Sequence, residues 1–164
     1  MKRQLKQGRK KSLKVLLSLF TVFFVWIGFC SGSFAQKVAE VKIGIIEPLS
    51  GPMALIGDNE LKAFQFAIKR INEAGGIKSL GGAKLVPIIG DSEGKPEVGM
   101  TQAERLINGG AVLLSGANQS AVVFSATQVA EKFKTPFIVS TGVADPITER
   151  GFKYTFRVMG TASM

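Results

Sequence analysis

The sequence predicts an α/β protein built on a doubly wound parallel sheet. Short apolar runs alternate with amphipathic stretches, the order that builds such a layer. The units recur every ~25–30 residues, the length of one β-α unit. Each apolar run ends in a cluster of Gly, Pro, Ser, Asn or Asp, and no solenoid repeat or low-complexity linker interrupts the series.

The first strand is expected over residues 38–46, where Val41, Ile43, Ile45 and Ile46 are apolar and Pro48 stops the run. Ser50, Gly51, Pro52, Gly57 and Asp58 then make an irregular turn. Asp58 or Asn59 is expected to cap a helix in which Leu61, Phe64, Ala67, Ile68 and Ile71 recur at helical spacing, with Lys62, Lys69, Arg70 and Glu73 facing water. Gly75 and Gly76 end it, and Ile77 suits the apolar contact that follows a left-handed helix stop. A second strand spans residues 84–89, and Pro87, which lacks an amide proton, marks it as an edge strand. Pro96 suits the first position of a second helix with Val98, Ala103, Leu106 and Ile107 turned inward. Residues 111–114 read as a short strand apolar on both faces, as in a buried parallel sheet. Ser120 can cap a third helix running to about residue 134. Residues 136–140 and 154–158 complete the strands.

Ahead of this domain, residues 1–35 carry seven bases, Lys2, Arg3, Lys6, Arg9, Lys10, Lys11 and Lys14, and no acid. Residues 15–30 are uncharged and rich in Leu, Val and Phe. This is the outline of an export signal, and Ser33 and Ala35 fit a small-x-small site with cleavage near Ala35. The alternative is an uncleaved anchor, since the apolar stretch exceeds a usual signal core but is shorter than a spanning helix. A lipid-bearing Cys30 is disfavoured by the bulky Phe29 before it.

The leader accounts for most of the net charge of +9. Without its seven bases, 14 of the 21 Lys and Arg remain against 12 Asp and Glu, or +2. The basic balance therefore speaks for translocation, and scattered single bases do not form a nucleic-acid surface. There is no His, and the single Cys and single Trp both lie in the leader. Residues 36–164 thus offer no disulfide, thiol nucleophile, imidazole base or nitrogen or sulfur metal ligand. No GxGxxG follows the first strand, Gly90 to Pro96 fails as a phosphate loop, and Ser120 lacks the glycines of a nucleophile elbow. No cofactor, metal or enzymatic activity is expected.

Loops leaving the carboxyl ends of parallel strands converge on one edge, where such sheets bind ligands. Ser120, at a helix amino end with Asn118 and Gln119 beside it, suits a carboxylate, although the same residues describe an ordinary cap. Ser140 and Thr141 offer hydroxyls, Gly142 admits close backbone approach, and Asp145 brings a carboxylate for an ammonium group. Asp145 also fits a turn residue before Pro146. Ser50, with Gly51 and Pro52, forms the opposite wall or a plain turn.

The run Val41-Lys-Ile-Gly-Ile-Ile-Glu-Pro-Leu-Ser-Gly-Pro52, then Gly57-Asp58 and Ile71-Asn-Glu-Ala-Gly-Gly-Ile77, resembles the substrate-binding proteins of branched-chain amino acid ABC transporters. Asp91, Gln119-Ser-Ala121, Pro136 and Thr148-Glu-Arg-Gly-Phe152 continue the likeness, which covers about residues 40–160. The resemblance implies the first lobe of a type I periplasmic binding protein fold, incomplete at Met164, close to the crossing into a second lobe. It implies a two-lobed clamp that presents a small ligand to a membrane permease, with no nucleic-acid partner. Ser120 would then bind a ligand carboxylate and the turn from Gly142 to Asp145 its amino group. An incomplete clamp is expected to bind weakly or not at all. Leucine-type members often carry an aromatic residue at the place of Ile56, so the side-chain pocket is expected to differ here; the resemblance implies a branched-chain amino acid or a related small carboxylate or amide and leaves open which. The alternative function is the extracellular sensor domain of a receptor with the same fold.

Overall fold

The computed structural model describes residues 38–164, and the leader with its cleavage position lies outside them. Among the described residues, five strands form one parallel sheet: β1 (Glu40–Glu47), β2 (Lys84–Asp91), β3 (Leu113–Gly116), β4 (Phe137–Val139) and β5 (Thr155–Arg157). Their spatial order is β2-β1-β3-β4-β5. The chain steps from β1 outward to β2 and then returns past β1 to β3, so the winding direction reverses between β1 and β3. Open α/β sheets bind ligands beside such a reversal.

Side chains alternate across each strand, so the two faces collect separate cores. On one face Val41, Ile43 and Ile45 of β1 meet Leu61, Phe64 and Ile68 of α1 (Ala54–Glu73), with Leu85 and Ile77 at the margin. On the other, Ile46, Leu114, Phe137 and Val139 meet α2 (Pro96–Asn108) and α3 (Ser120–Lys132) through Ala103, Leu106, Val122, Val123 and Ala126. Each such Leu, Ile or Phe withdrawn from water contributes about 1.5–3 kcal/mol. Gly99 lets α2 approach α3, since a Cβ there would stand 2.5 Å from Val122 Cγ1. A single short turn of helix, α4 (Pro146–Glu149), precedes β5.

Several features follow the sequence closely. Pro87 lies on the outermost strand, paired in register with Ile43. Helix α1 is stopped after Glu73 by Gly75 (φ 103°) and Gly76 (φ 74°), and the Gly76 amide reaches back to the Ile71 carbonyl at 2.9 Å. Ile77 packs against the α1 core as the stop predicts. Asn72 then fixes the helix end to β2, donating to the Leu85 carbonyl and accepting its amide, both at 2.8 Å.

Three local expectations are corrected. Helix α1 begins at Ala54, four residues before Asp58, because the Gly51 carbonyl already accepts the Ala54 amide at 3.1 Å and starts the turn there. Asp58 instead pairs with Lys62 one turn on. Strand β3 lies two residues later than expected, since Ala111 and Val112 complete the approach from α2 and Ser115 and Gly116 still pair with β1. Gln119 occupies the N-cap of α3, and no side chain caps that helix.

Candidate functional site

The loops after β1, β3 and β4 meet at the carboxyl rim beside the winding reversal. The β3 loop is made by a tight left-handed turn: Gly116 (φ 99°), Ala117 (φ 73°) and Asn118 (φ 42°). Only glycine fits at 116, where a Cβ would lie 2.2 Å from the Ile46 carbonyl oxygen and 2.5 Å from Glu47 Oε1. The Ala117 amide closes onto that Ile46 carbonyl. The turn delivers Gln119 and Ser120 to the start of α3, whose first-turn amides have no partner within the helix.

Ser120 is half-buried, and its hydroxyl accepts the Ala144 amide at 3.2 Å. Its hydroxyl therefore fastens the β4 loop to α3 instead of capping the helix. Gly142 sits in the same region, close enough to Val123 and Ile147 that a Cβ would be 2.9 and 3.1 Å from them. Ser120 and Gly142 thus share one rim.

The carbonyls proposed for an amino group are already engaged. Arg157 donates to the carbonyls of Gly142 (3.0 Å) and Ala144 (2.6 Å), and the Ala162 amide donates to Val143 (2.8 Å). The Asp145 carboxylate accepts the Ser163 amide at 3.4 Å. Slight burial raises its pKa, but the Thr161 hydroxyl and the Ser163 amide and hydroxyl outweigh that and hold it below the usual range. The turn from Gly142 to Asp145 is thus braced from within the chain, and each of these carbonyls keeps a second lone pair.

Ser50 is exposed at the mouth of the first loop. The amides of Leu49 and Glu93 donate to Asp91 Oδ1, both at 2.8 Å; burial raises that carboxyl, but these amides and the nearby Ser50 outweigh it and hold it below its ordinary range. Asp91 therefore ties the β1 loop to the β2 loop.

Unpaired polar atoms concentrate just upstream of these braces. Among the described residues, Ser140 Oγ, Thr141 Oγ1, Gln119 Oε1, Glu60 Oε2 and both carboxylate oxygens of Glu47 are buried without a hydrogen-bond partner. Ser140, Thr141 and Glu60 line a cavity of about 310 Å³ together with Ala63, Phe64 and Ala67. Two larger grooves, one between α1 and the β2 edge and one below β1, carry none of these atoms and lie away from the rim. Among the described residues, no three Asp or Glu side chains converge in a way that could hold a metal ion.

Glu60, and Glu47 buried behind it, were missed as residues that support the site. The signal was present: Glu47 has the strand parity of Ile43 and Ile45, which face α1, and Glu60 stands one turn before the inward Phe64. The two acids meet at the α1 face of the rim, where Asn118 Nδ2 donates to Glu60 Oε1 at 2.8 Å. Burial, and then the neighbouring Glu60, push the Glu47 carboxyl up to about 9.

A family model for periplasmic binding proteins matches residues 40–164. Among curated relatives, Leu/Ile/Val-binding protein homolog 8 of Brucella suis is 36% identical over 137 residues, covering 83% of this chain and 33% of the relative. The leucine-, isoleucine-, valine-, threonine- and alanine-binding protein of Pseudomonas aeruginosa is 32% identical over 155 residues, covering 94% and 40%. The chain thus spans about a third of the length of the curated relatives it matches. Among solved structures, the branched-chain amino acid transporter substrate binding protein LivJ of Streptococcus pneumoniae, in complex with isoleucine, superposes with a TM-score of 0.69 at 26% identity, covering 74% of this chain and 34% of that one. A solute binding protein of an ABC transporter from Rhodopseudomonas palustris, in complex with 3,4-dihydroxy benzoic acid, gives 0.66 at 27% identity, covering 75% and 32%. The parallel layer described above is part of the fold these proteins share, and the chain belongs to the periplasmic binding protein family.

Proposed function

We propose that this chain contributes to the extracytoplasmic solute-binding component of an ABC importer, which takes a branched-chain amino acid or a related small carboxylate or amide in a cleft between lobes. The observation that carries the reading is the gathering of the β1, β3 and β4 loops around the open amino end of α3 at the winding reversal. Unpaired helix amides there suit a carboxylate. Isoleucine and 3,4-dihydroxy benzoic acid, found in the two neighbouring structures, both join a carboxylate to an apolar body. Asn118, Gln119 and Ser120 are assigned to the carboxylate side, Ser50 to the mouth, and Ser140 and Thr141 to hydrogen bonds from beneath. Gly142 and Asp145 shape the wall through the braced turn. The permease is the partner of the assembled binder, and the leader directs its export.

One lobe meets half of such a ligand, so the affinity of this chain alone is expected to be weak, in the millimolar range or about 4 kcal/mol. Amide chemical shifts of the chain titrated with leucine and with 4-hydroxybenzoate test the reading. Saturable shifts at Ser120, Ala121 and Val122 are expected, with none from isobutylamine, which lacks the carboxylate. Unchanged rim amides with both carboxylates would overturn it.

A further inference from the structure

Glu47 closes β1 with a side chain fully out of contact with water, 0% exposed. Among the described residues neither of its carboxylate oxygens meets a donor, and neither does Glu60 Oε2, the oxygen not held by Asn118. The two side chains meet at the β3 turn, where Gly116 packs against Glu47 Oε1 and Asn118, two residues on, holds Glu60 Oε1. As ionised carboxylates both only accept, so Glu60 acts on Glu47 as a charge and as the acceptor that a proton would reach.

Among the described residues no ion pair reaches either acid. Among the described residues the ion pairs are Asp58 with Lys62, Glu73 with Lys69 and Glu93 with Lys95, all on other surfaces. From β2, the residue in register with Glu47 is another acid, Asp91, whose carboxylate is committed to the Leu49 and Glu93 amides. From the β3 turn come neutral groups, Gly116 and Asn118. From α1 comes Glu60 itself. Two adjacent buried carboxylates with no counter-charge cannot both ionise, whereas one proton between them supplies the missing donor to both.

We propose that Glu47 is kept as a neutral carboxylic acid that donates its proton to Glu60 Oε2, and that this acid–carboxylate pair positions Asn118 and with it the turn that presents α3 to a ligand. Glu47 is a positioning residue: it reaches the rim only through Glu60. The turn needs such support, because Ala117 and Asn118 both hold left-handed backbone conformations that cost energy outside glycine. The Ala117 amide bond to Ile46 fixes one side of the turn, and the Asn118 bond to Glu60 fixes the other. An ionised Glu47 would withdraw the proton from Glu60 and repel it, loosening the second of these.

The significance of this pair for binding rests on the solute-binding reading; its proton does not. Carboxyl carbon shifts of the selectively labelled chain, followed from pH 4 to pH 10, read the proton directly. Glu47 is expected to remain protonated at pH 7 and to titrate near 9, with the Asn118 side-chain amide moving at the same midpoint. A Glu47 midpoint in the ordinary carboxylate range would overturn the proposal whatever the ligand does. Glu47→Gln, which keeps a donor toward Glu60, is expected to preserve the Asn118 resonance and the leucine response and to abolish their alkaline transition. Glu47→Ala is expected to displace Asn118 and to weaken the leucine response roughly tenfold. Should Glu47→Ala fail to fold, the wild-type titration and Glu47→Gln still decide. A high Glu47 midpoint without any leucine response would sink the solute-binding reading and leave the shared proton standing.

Discussion

The Ser120 hydroxyl accepts the amide of Ala144 at 3.2 Å, joining the start of α3 to the turn that leaves β4 across 24 residues of sequence. One oxygen thereby sets the relative position of two loops on the candidate site. Ser120→Ala removes the acceptor and strands a partly buried amide, at a cost of about 1 kcal/mol. Faster hydrogen exchange at Ala144 and a lower urea midpoint are expected, with loss of the carboxylate-induced shifts at Ala121. Ser120→Thr keeps the oxygen and is expected to retain all three; unchanged exchange at Ala144 in Ser120→Ala would show that the contact holds nothing.

Arg157 straps the same turn from the other side by donating to the carbonyls of Gly142 and Ala144. Its guanidinium spans two acceptors as a planar fork, which the single ammonium of lysine does not reproduce. Arg157→Lys is therefore expected to cost about 1.5–3 kcal/mol, measured by urea unfolding, and to free the amides of Val143 and Ala144 to exchange. If those carbonyls instead served a ligand's ammonium group, the same variant would bind amines more strongly, which calorimetry distinguishes.

Much of this arrangement is legible in the chain itself. The alternation of strands and helices, the edge position of Pro87 and the Gly75-Gly76 stop each follow from a local rule that nothing elsewhere overrides. The start of α1 was read too late because Asp58 is a good cap by type, while the Gly51-Pro52 turn is closed by geometry that single residues do not announce. Glu47 escaped notice for a different reason. An acid between an apolar run and a proline looks like the first solvated residue of a loop, and its burial depends on α1 carrying Glu60 down onto the same face. Arg157 was read as a strand residue only, because its acceptors are carbonyls, which carry no sequence signal.

Stability should fall with rising pH because of Glu47. Its carboxyl is raised from 4.5 to about 9 by burial and by Glu60. Between those values the folded chain keeps a proton that the unfolded chain has lost, so the contribution is fully present below about pH 4.5. It declines by up to ~1.4 kcal/mol per pH unit through the window and levels off above about pH 9. Glu47→Gln carries no titrating proton and is expected to flatten this slope in urea unfolding measured from pH 5 to pH 9. Asp91, held low by amides, contributes the opposite slope only in acid, below the ordinary aspartate range, so the two windows separate.

Gly57 within α1 and Gly75 just beyond its end separate steric need from backbone need. Gly57 is buried where the helix crosses the end of β1, and a Cβ there would lie 2.2 Å from the Pro48 carbonyl oxygen. Gly75 has open space around it but a φ of 103°. Gly57→Ala must push the helix start off Pro48, an overpacking cost of about 3 kcal/mol, whereas Gly75→Ala incurs only left-handed strain of about 1–2 kcal/mol. Their structural signatures differ more sharply than their energies. Gly57→Ala is expected to shift the Leu49 amide, which donates to Asp91 at 2.8 Å, because that contact rides on the same loop. Gly75→Ala is expected to leave Leu49 in place and to disturb Ile77 and Ala83, which pair beside the helix stop. A Leu49 amide untouched by Gly57→Ala would mean that α1 can slide along β1 without moving the first loop, and the wall containing Ser50 would then not be set by this helix.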